Sequence, residues 1–518
     1  MKLRSIGAMT VLNAVGAVVG LTQSMVVAYF FGTTRGVEIF FAAVALEASI
    51  IHLTQTGQLA EIFLPIYHRV KHAQGVAEAY GCFAVMINIV LALVAVLAVI
   101  MYGLAPILVK LRVPGFSVED MQTTVVVFRA LLPLLGIHVT LAMLHTLANA
   151  EKWFGAPEAI TIATRIAGVV VLAALAPAWG IWALVTGLYV NTAGALLALC
   201  IFAFTFGYRH SLRLTHSSVN LVLLMKQLAT TLFYVATTQC YAFAFDAGLS
   251  YLPQGVFAVF KYVQQHLVAK SFAILLRPIN IVFYTHFSEA LTQGSNQVTA
   301  LTRRALSLSL AASVLVVVGF LAAGEPLLQG IWGGRRFSPE EIQLATNFAT
   351  IMFAMLLVTA TGQVYRRMAM SLGMVRSVYA GYSIVQIACA LLAVVILPAA
   401  GIAGAVSIVP LDMAGLAAVQ LLLVALRRRD LMAFYSPGEA VKWTIAAGLG
   451  LAIVLAATSI GITQWFGTDR VSHIALAVLL FTLTTGTTLA GAWVMQVAEV
   501  RNGARRVKSL FWQTSSVT

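Results

Sequence analysis

Charge is what this sequence has least of. Of 518 residues only 18 are Asp or Glu and 32 are Lys or Arg, 10% together, against 60% that are hydrophobic. Soluble domains carry roughly 25% charged residues, and a chain this poor in them cannot cover a water-facing surface. That excludes a soluble enzyme and any disordered or fibrous class. The apolar residues run on without alternating, which excludes a membrane β-barrel. Cysteine is scarce too: Cys82, Cys200, Cys240 and Cys389 all fall inside apolar runs and form no CxxC pair. Neither a disulfide framework nor a metal site is indicated. No Gly is followed by Lys anywhere, so there is no Walker A loop and no nucleotide hydrolysis of that kind. What remains is an all-α polytopic membrane protein.

Apolar runs of about 20 residues suffice to cross a bilayer. Fourteen are present, at 6–31, 38–64, 79–104, 123–148, 157–178, 180–206, 219–246, 256–285, 305–332, 342–370, 376–398, 401–426, 440–463 and 471–497. The first, behind Lys2 and Arg4, lacks a small-residue cleavage site and is expected to be a retained span. With the N-terminus in the cytoplasm, basic residues concentrate on the inside. The outside loops keep only Arg35, Lys110, Arg112, Arg335, Arg336 and Arg470, matched by Glu38, Glu119, Asp120, Glu340, Glu341 and Asp469. Both termini are then cytoplasmic. The net charge of +14 reads as basic loops facing anionic headgroups, with no nucleic-acid partner.

Two short motifs repeat. Phe116-Ser-Val-Glu-Asp120 resembles Phe337-Ser-Pro-Glu-Glu341, and Pro177-Ala-Trp-Gly-Ile181 resembles Pro398-Ala-Ala-Gly-Ile402, both at an offset of 221 residues. Each pair falls on one side of the membrane, so the repeats run parallel, with six spans each. The expected organisation is an N-lobe at 1–215, a C-lobe at 216–430, two further spans at 431–500 and a basic cytoplasmic tail at 501–518. Transporters built from parallel repeats place their site between the lobes and rock them.

Ionisable residues inside spans mark functional sites. Span eight carries His266, Lys270 and Arg277 within about 40° of one another on a helical wheel, with Lys261 and Gln265 off that line. Span two carries Glu47, Thr54, Gln58 and Glu61, and Arg165, Asp246 and Asp412 lie in spans five, seven and twelve. His52, His138 and His145 stand alone on apolar helices and read as core groups. Two readings stay open: a hydrated cavity for an anionic headgroup, or acids and bases paired across helices as a structural lock.

A known family also shows in the opening residues. Gly20-x11-Gly32-x5-Glu38-x-Phe40-Phe41, followed by Gly57-x5-Phe63-x-Pro65, resembles the start of the MurJ (MviN) lipid II flippases. These belong to the multidrug/oligosaccharidyl-lipid/polysaccharide exporter superfamily. Pro114-Gly115-Phe116, Arg129-x3-Pro133, Asn149 with Phe154 and Pro157, and Lys226-Gln227 with Gln239 extend the likeness. It implies fourteen spans, cytoplasmic termini, and two last spans forming a groove for a lipid tail. It also implies arginines in spans one, two and eight that meet a lipid diphosphate. Here those positions hold Ala17, Gln23 and Ile51, with His52 beside the last, and Gln264-Gln265 or His266 in span eight; an acid expected in span two falls on Thr56.

The resemblance implies an inner-membrane flippase of the bacterial cell, moving an undecaprenyl diphosphate-type oligosaccharide or peptidoglycan precursor by alternating access, without enzymatic chemistry. Lys261, His266, Lys270, Arg277, Arg165, Gln23, His52 and Gln265 are the candidate substrate-binding residues. Glu47, Glu61 and Asp246 are candidates for coupling to a monovalent cation or proton; no other cofactor is expected. The expected partners are membrane lipid, the lipid-linked glycan and polysaccharide or cell-wall assembly enzymes, with the chain a monomer. The rivals are a Wzx-like exopolysaccharide flippase, a MATE-like ion-coupled exporter of small molecules, and a non-transporting scaffold or enzyme of polysaccharide assembly.

Overall fold

The computed structural model describes residues 3–54, 66–151, 153, 155–215, 236, 237, 239–272, 287, 295–334, 336–497, 500 and 501. Among them all regular structure is helical, apart from one isolated bridge between Gly334 and Phe337. The medium dictates this. In hydrocarbon every backbone N–H and C=O must be satisfied within its own segment. Nine helices among the described residues are long and apolar enough to cross a membrane. Val96, Val99 and Ile107 stand out from their helix surface, a liability in water and ordinary against lipid.

The chain forms two compact units: Met1–Ala258 with Ala390–Ile402, and Val259–Cys389 with Ala403–Thr518. The expected lobe boundary at 215/216 falls at the edge of the described residues. The first unit contains α1 (Leu3–Phe31), α2 (Arg35–Thr54), α3 (66–74), α4 (Val76–Arg112), α5 (Val118–Leu131), α6 (Pro133–Ala150), α7 (Ala156–Trp179), α8 (Ile181–Thr205) and α9 (239–250). Pro133 separates α5 from α6 inside what reads as one apolar run, because proline has no N–H to give the preceding turn. The helices α7 and α8 pack closely: a Cβ on Gly168 would lie 2.6 Å from the carbonyl oxygen of Gly187. Small residues let membrane helices approach this closely.

The second unit begins within α10 (Val256–Lys261), which runs straight into a π-helical turn, Tyr262–Val268. It continues with α11 (Ser295–Trp332), α12 (Pro339–Ala354), α13 (Leu356–Ser371), α14 (Val375–Arg427, whose stretch Ala390–Ile402 belongs to the first unit), α15 (Pro437–Ser459) and α16 (Arg470–Val494). The helix α14 holds expected spans eleven and twelve, interrupted only at Gly401. The helices α15 and α16 pack on each other and on α11.

The repeat motifs return as matched geometry. Gly180, which ends α7, has φ 52° and ψ −130°; Gly401 has φ 57° and ψ −129°. That backbone is open to glycine and strained for any other residue. Ser117 caps α5 by accepting the Asp120 N–H at 3.1 Å, and Ser338 caps α12 by accepting the Glu341 N–H at 3.2 Å. Glu341 returns the bond to the Ser338 N–H, closing a capping box.

Nine of the twelve charges expected in outside loops are helical, Arg35, Glu38 and Arg112 among them. Arg35 and Glu38 lie in the first turn of α2, and Arg112 is the last residue of α4. Glu38 suits a helix start and Arg112 a helix end through the macrodipole. Each also has a partner of opposite charge.

Candidate functional site

The first unit assembles its ionisable groups into pairs. Arg112 and Asp246, 3% and 2% exposed, form a buried ion pair with Nη2 2.6 Å from Oδ2. The Arg112 Nε–H donates to the same oxygen at 2.8 Å. Arg112 Nη1 reaches Ser49 Oγ at 3.1 Å, and the guanidinium lies 4.5 Å from the Phe243 ring centroid. Asp246, expected as a coupling carboxylate, is thus placed against an arginine that never gives up its charge.

At the start of α2, Glu38 accepts from Arg35 at 2.7 Å and from the Gly255 N–H at 2.8 Å. Arg35 also lies 3.5 Å from Asp120 and 4.6 Å from the Phe116 ring centroid. The acid of the Gly32-x5-Glu38 motif therefore holds the segment that leads into α10. Away from the spans, Glu151 accepts two hydrogen bonds from Lys71, at 2.6 and 2.7 Å, and one from the Tyr67 hydroxyl. Burial opposes its ionisation, and these bonds outweigh that and hold its carboxyl below the ordinary carboxylate range.

Arg165 sits half-buried on α7, facing α1. Its Nη1 donates to the Gly16 carbonyl at 3.5 Å, and its buried Nε has no hydrogen-bond partner. Gln23 is half-buried on α1. Glu47 on α2 is buried, 3.0 Å from His138 on α6. The solitary core reading of His138 is corrected by that contact. Of the span-two stripe only the Glu47 side chain is described; the side chains of His52 and Thr54, and residues Gln58 and Glu61, lie outside the described residues.

Span eight departs from the helical wheel. Lys261 is buried at the end of α10 with its Nζ 5.9 Å from the Phe260 ring centroid. Gln265 and His266 are half-buried within the π turn, and Lys270 is half-buried just beyond it. A π turn bonds i to i+5 and inserts a residue into the repeat, so a stripe drawn at about 100° per residue does not continue across it. Arg277 lies outside the described residues. Tyr262, within the turn, is fully buried among Trp332, Phe337 and the His266 ring.

Sequence reasoning passed over a polar cluster in the second unit. The Gln386 amide donates to Asp412, the Gln420 amide to the Tyr382 hydroxyl, and Arg366 lies 5.1 Å from the Tyr382 ring centroid. Gln386 and Gln420 on one apolar helix were the available signal. No group of three or more His, Cys, Asp or Glu among the described residues has metal-site geometry.

An all-α, multi-pass body with an internal repeat and buried ion pairs is that of a polytopic membrane protein. The sequence matches the family described as lipid II flippase MurJ over residues 27–485. The chain belongs to that family, and is a flippase-type transporter, not an enzyme. No curated protein matches it. In fold it is similar to a lipid II flippase MurJ in an inward closed conformation, with TM-score 0.72 and 13% identity over 92% of this chain and 97% of that one. An inward-facing multidrug resistance MATE transporter follows at TM-score 0.61 and 14% identity, over 82% and 95% of the two chains. A transporter of the same superfamily from Pyrococcus furiosus gives 0.55 and 14%, over 83% and 96%.

Proposed function

We propose that this protein flips an undecaprenyl diphosphate-linked oligosaccharide or peptidoglycan precursor from the cytoplasmic to the outer leaflet of the bacterial inner membrane. Both termini stay cytoplasmic, as the distribution of Lys and Arg demands. The observation that carries the reading is the family match across residues 27–485. Arg165 supports the headgroup chemistry: its buried Nε is unpartnered, and a guanidinium is the side chain best shaped for phosphate oxygens. Lys261, His266, Lys270 and Arg277 supply further positive charge, Gln23, His52 and Gln265 meet the polar headgroup, and α15 and α16 hold the lipid tail. Alternating access, biased by a monovalent cation or a proton, moves the headgroup without covalent chemistry. The substrate and its assembly enzymes are the partners, and the protein acts as a monomer.

The test is reconstitution in proteoliposomes with a fluorescent lipid II or an exopolysaccharide-type lipid-linked unit. One charged hydrogen bond contributes about 1.5–3 kcal/mol, so R165Q should slow flipping about 10- to 100-fold with folding and insertion intact. Normal flipping by R165Q together with K270Q would remove these cations from the substrate site. The missing arginines at Ala17, Gln23 and Ile51 favour a specialised, exopolysaccharide-type substrate over lipid II. Rescue of cells depleted of their own lipid II flippase would overturn that choice.

A further inference from the structure

The first unit holds two buried acid–base pairs of different chemistry. Arg112–Asp246 is a lock: it is almost wholly enclosed, and its base keeps its proton at any physiological pH. Glu47–His138 uses instead the one side chain whose ordinary pKa lies near neutrality. The His138 side chain remains 24% exposed while that of Glu47 is 4% exposed, so the imidazole is the more accessible member of the pair. Nδ1 and Oε1 lie 3.0 Å apart in ion-pair range, without the alignment of a hydrogen bond, and neither has another hydrogen-bond partner.

Among the described residues no other cation is paired with Glu47. The helix α2 packs on α4, α5, α6 and α8. From α4, Arg112 is spent on Asp246 and Ser49. From α5, Arg129 lies on the Tyr102 ring and donates to the Tyr102 carbonyl, while Asp120 is held near Arg35 at the far end. From α6, His145 lies two turns beyond His138 and reaches Thr161 at 3.5 Å. From α8, Tyr189 donates its hydroxyl to the Ala130 carbonyl at 2.6 Å. With one proton aboard, the pair is neutral overall. Without it, a carboxylate sits unpaired in a low-dielectric interior, a costly state that the protein relieves by changing conformation or recapturing the proton.

We propose that Glu47 and His138 form a proton-binding site, and that loading and unloading this site couples a proton to the transport cycle. The coupling rests on the flippase reading above; the site does not. A proton enters from one side, is held between Nδ1 and Oε1, and leaves to the other, and no other bond changes.

Two measurements on the full-length protein separate these parts. In nanodiscs, histidine-labelled protein is titrated by NMR, with H138Q identifying the His138 signal. A proton shared between Nδ1 and Oε1 ties the His138 ring signals to Glu47, so E47Q should change their pH dependence; an unchanged pH dependence overturns the site. In proteoliposomes with a lipid-linked substrate, an imposed pH gradient should change the flipping rate several-fold in the wild type and leave E47Q and H138Q unresponsive. Flipping in the wild type that ignores the gradient overturns the coupling. If the wild type flips neither lipid, the flippase reading and the coupling fall together, and the titration alone decides the site.

Discussion

At Gly180 and Gly401 the two repeats turn through the same dihedral angles, and at Ser117 and Ser338 they start a helix with the same cap. In the two compact units, by contrast, the buried polar groups differ in kind. The first unit encloses acid–base pairs, Arg112 against Asp246 and His138 against Glu47. The second sets amides against an acid and a phenol, with Gln386 on Asp412 and Gln420 on Tyr382, and buries Lys261 as well. Backbone landmarks are imposed by topology, since each repeat must make the same reversals. Side chains elsewhere were free to diverge, and the buried acid–base pairs stand in the first unit.

The largest break in this comparison should come from the ion pair. R112A leaves Asp246 buried without its counter-ion, which costs about 3–5 kcal/mol. D412N keeps a carbonyl oxygen for the Gln386 amide and should cost about 1 kcal/mol or less. Thermal unfolding in detergent reads both, and equal losses would erase the distinction drawn between the units.

The shared landmarks make the opposite prediction. A Cβ on Gly180 would meet nothing within 4 Å, and one on Gly401 would meet only Leu252 Cδ2, at 3.7 Å. The penalty for G180A and G401A is therefore conformational, about 1–3 kcal/mol at each, and should be alike in the two. A loss confined to one glycine would show that the turns are not equivalent. Smallest are the caps: S117A and S338A should each cost about 1 kcal/mol. Hydrogen exchange reads this directly, through faster exchange of the Asp120 amide in one variant and the Glu341 amide in the other.

Fold class was legible from composition, because so few charges cannot clothe a soluble surface. The repeat was legible because Gly180 and Gly401, and Ser117 and Ser338, serve backbone needs that few other residues meet. Helix ends were less legible. Arg112 reads as a loop residue until Asp246, far along the chain, is seen to neutralise it within the helix. His138 reads as a core group for the same reason, its partner being on another helix. The span-eight stripe assumed an unbroken α period, and nothing in Tyr262–Val268 announces a π turn. Hydropathy reports how much charge a helix carries, whereas pairing decides where that charge can rest.

The turn at Gly180 has a mechanical consequence. Between Trp179 and Ile181 the chain reverses in one residue, and Gly168 and Gly187 bring the backbones of α7 and α8 together further along. A connection of that length stores no slack, so neither helix can slide past the other by a residue without pulling the turn apart. The hairpin must travel as a single rod, and any bending that accompanies transport has to be taken up beyond its open end.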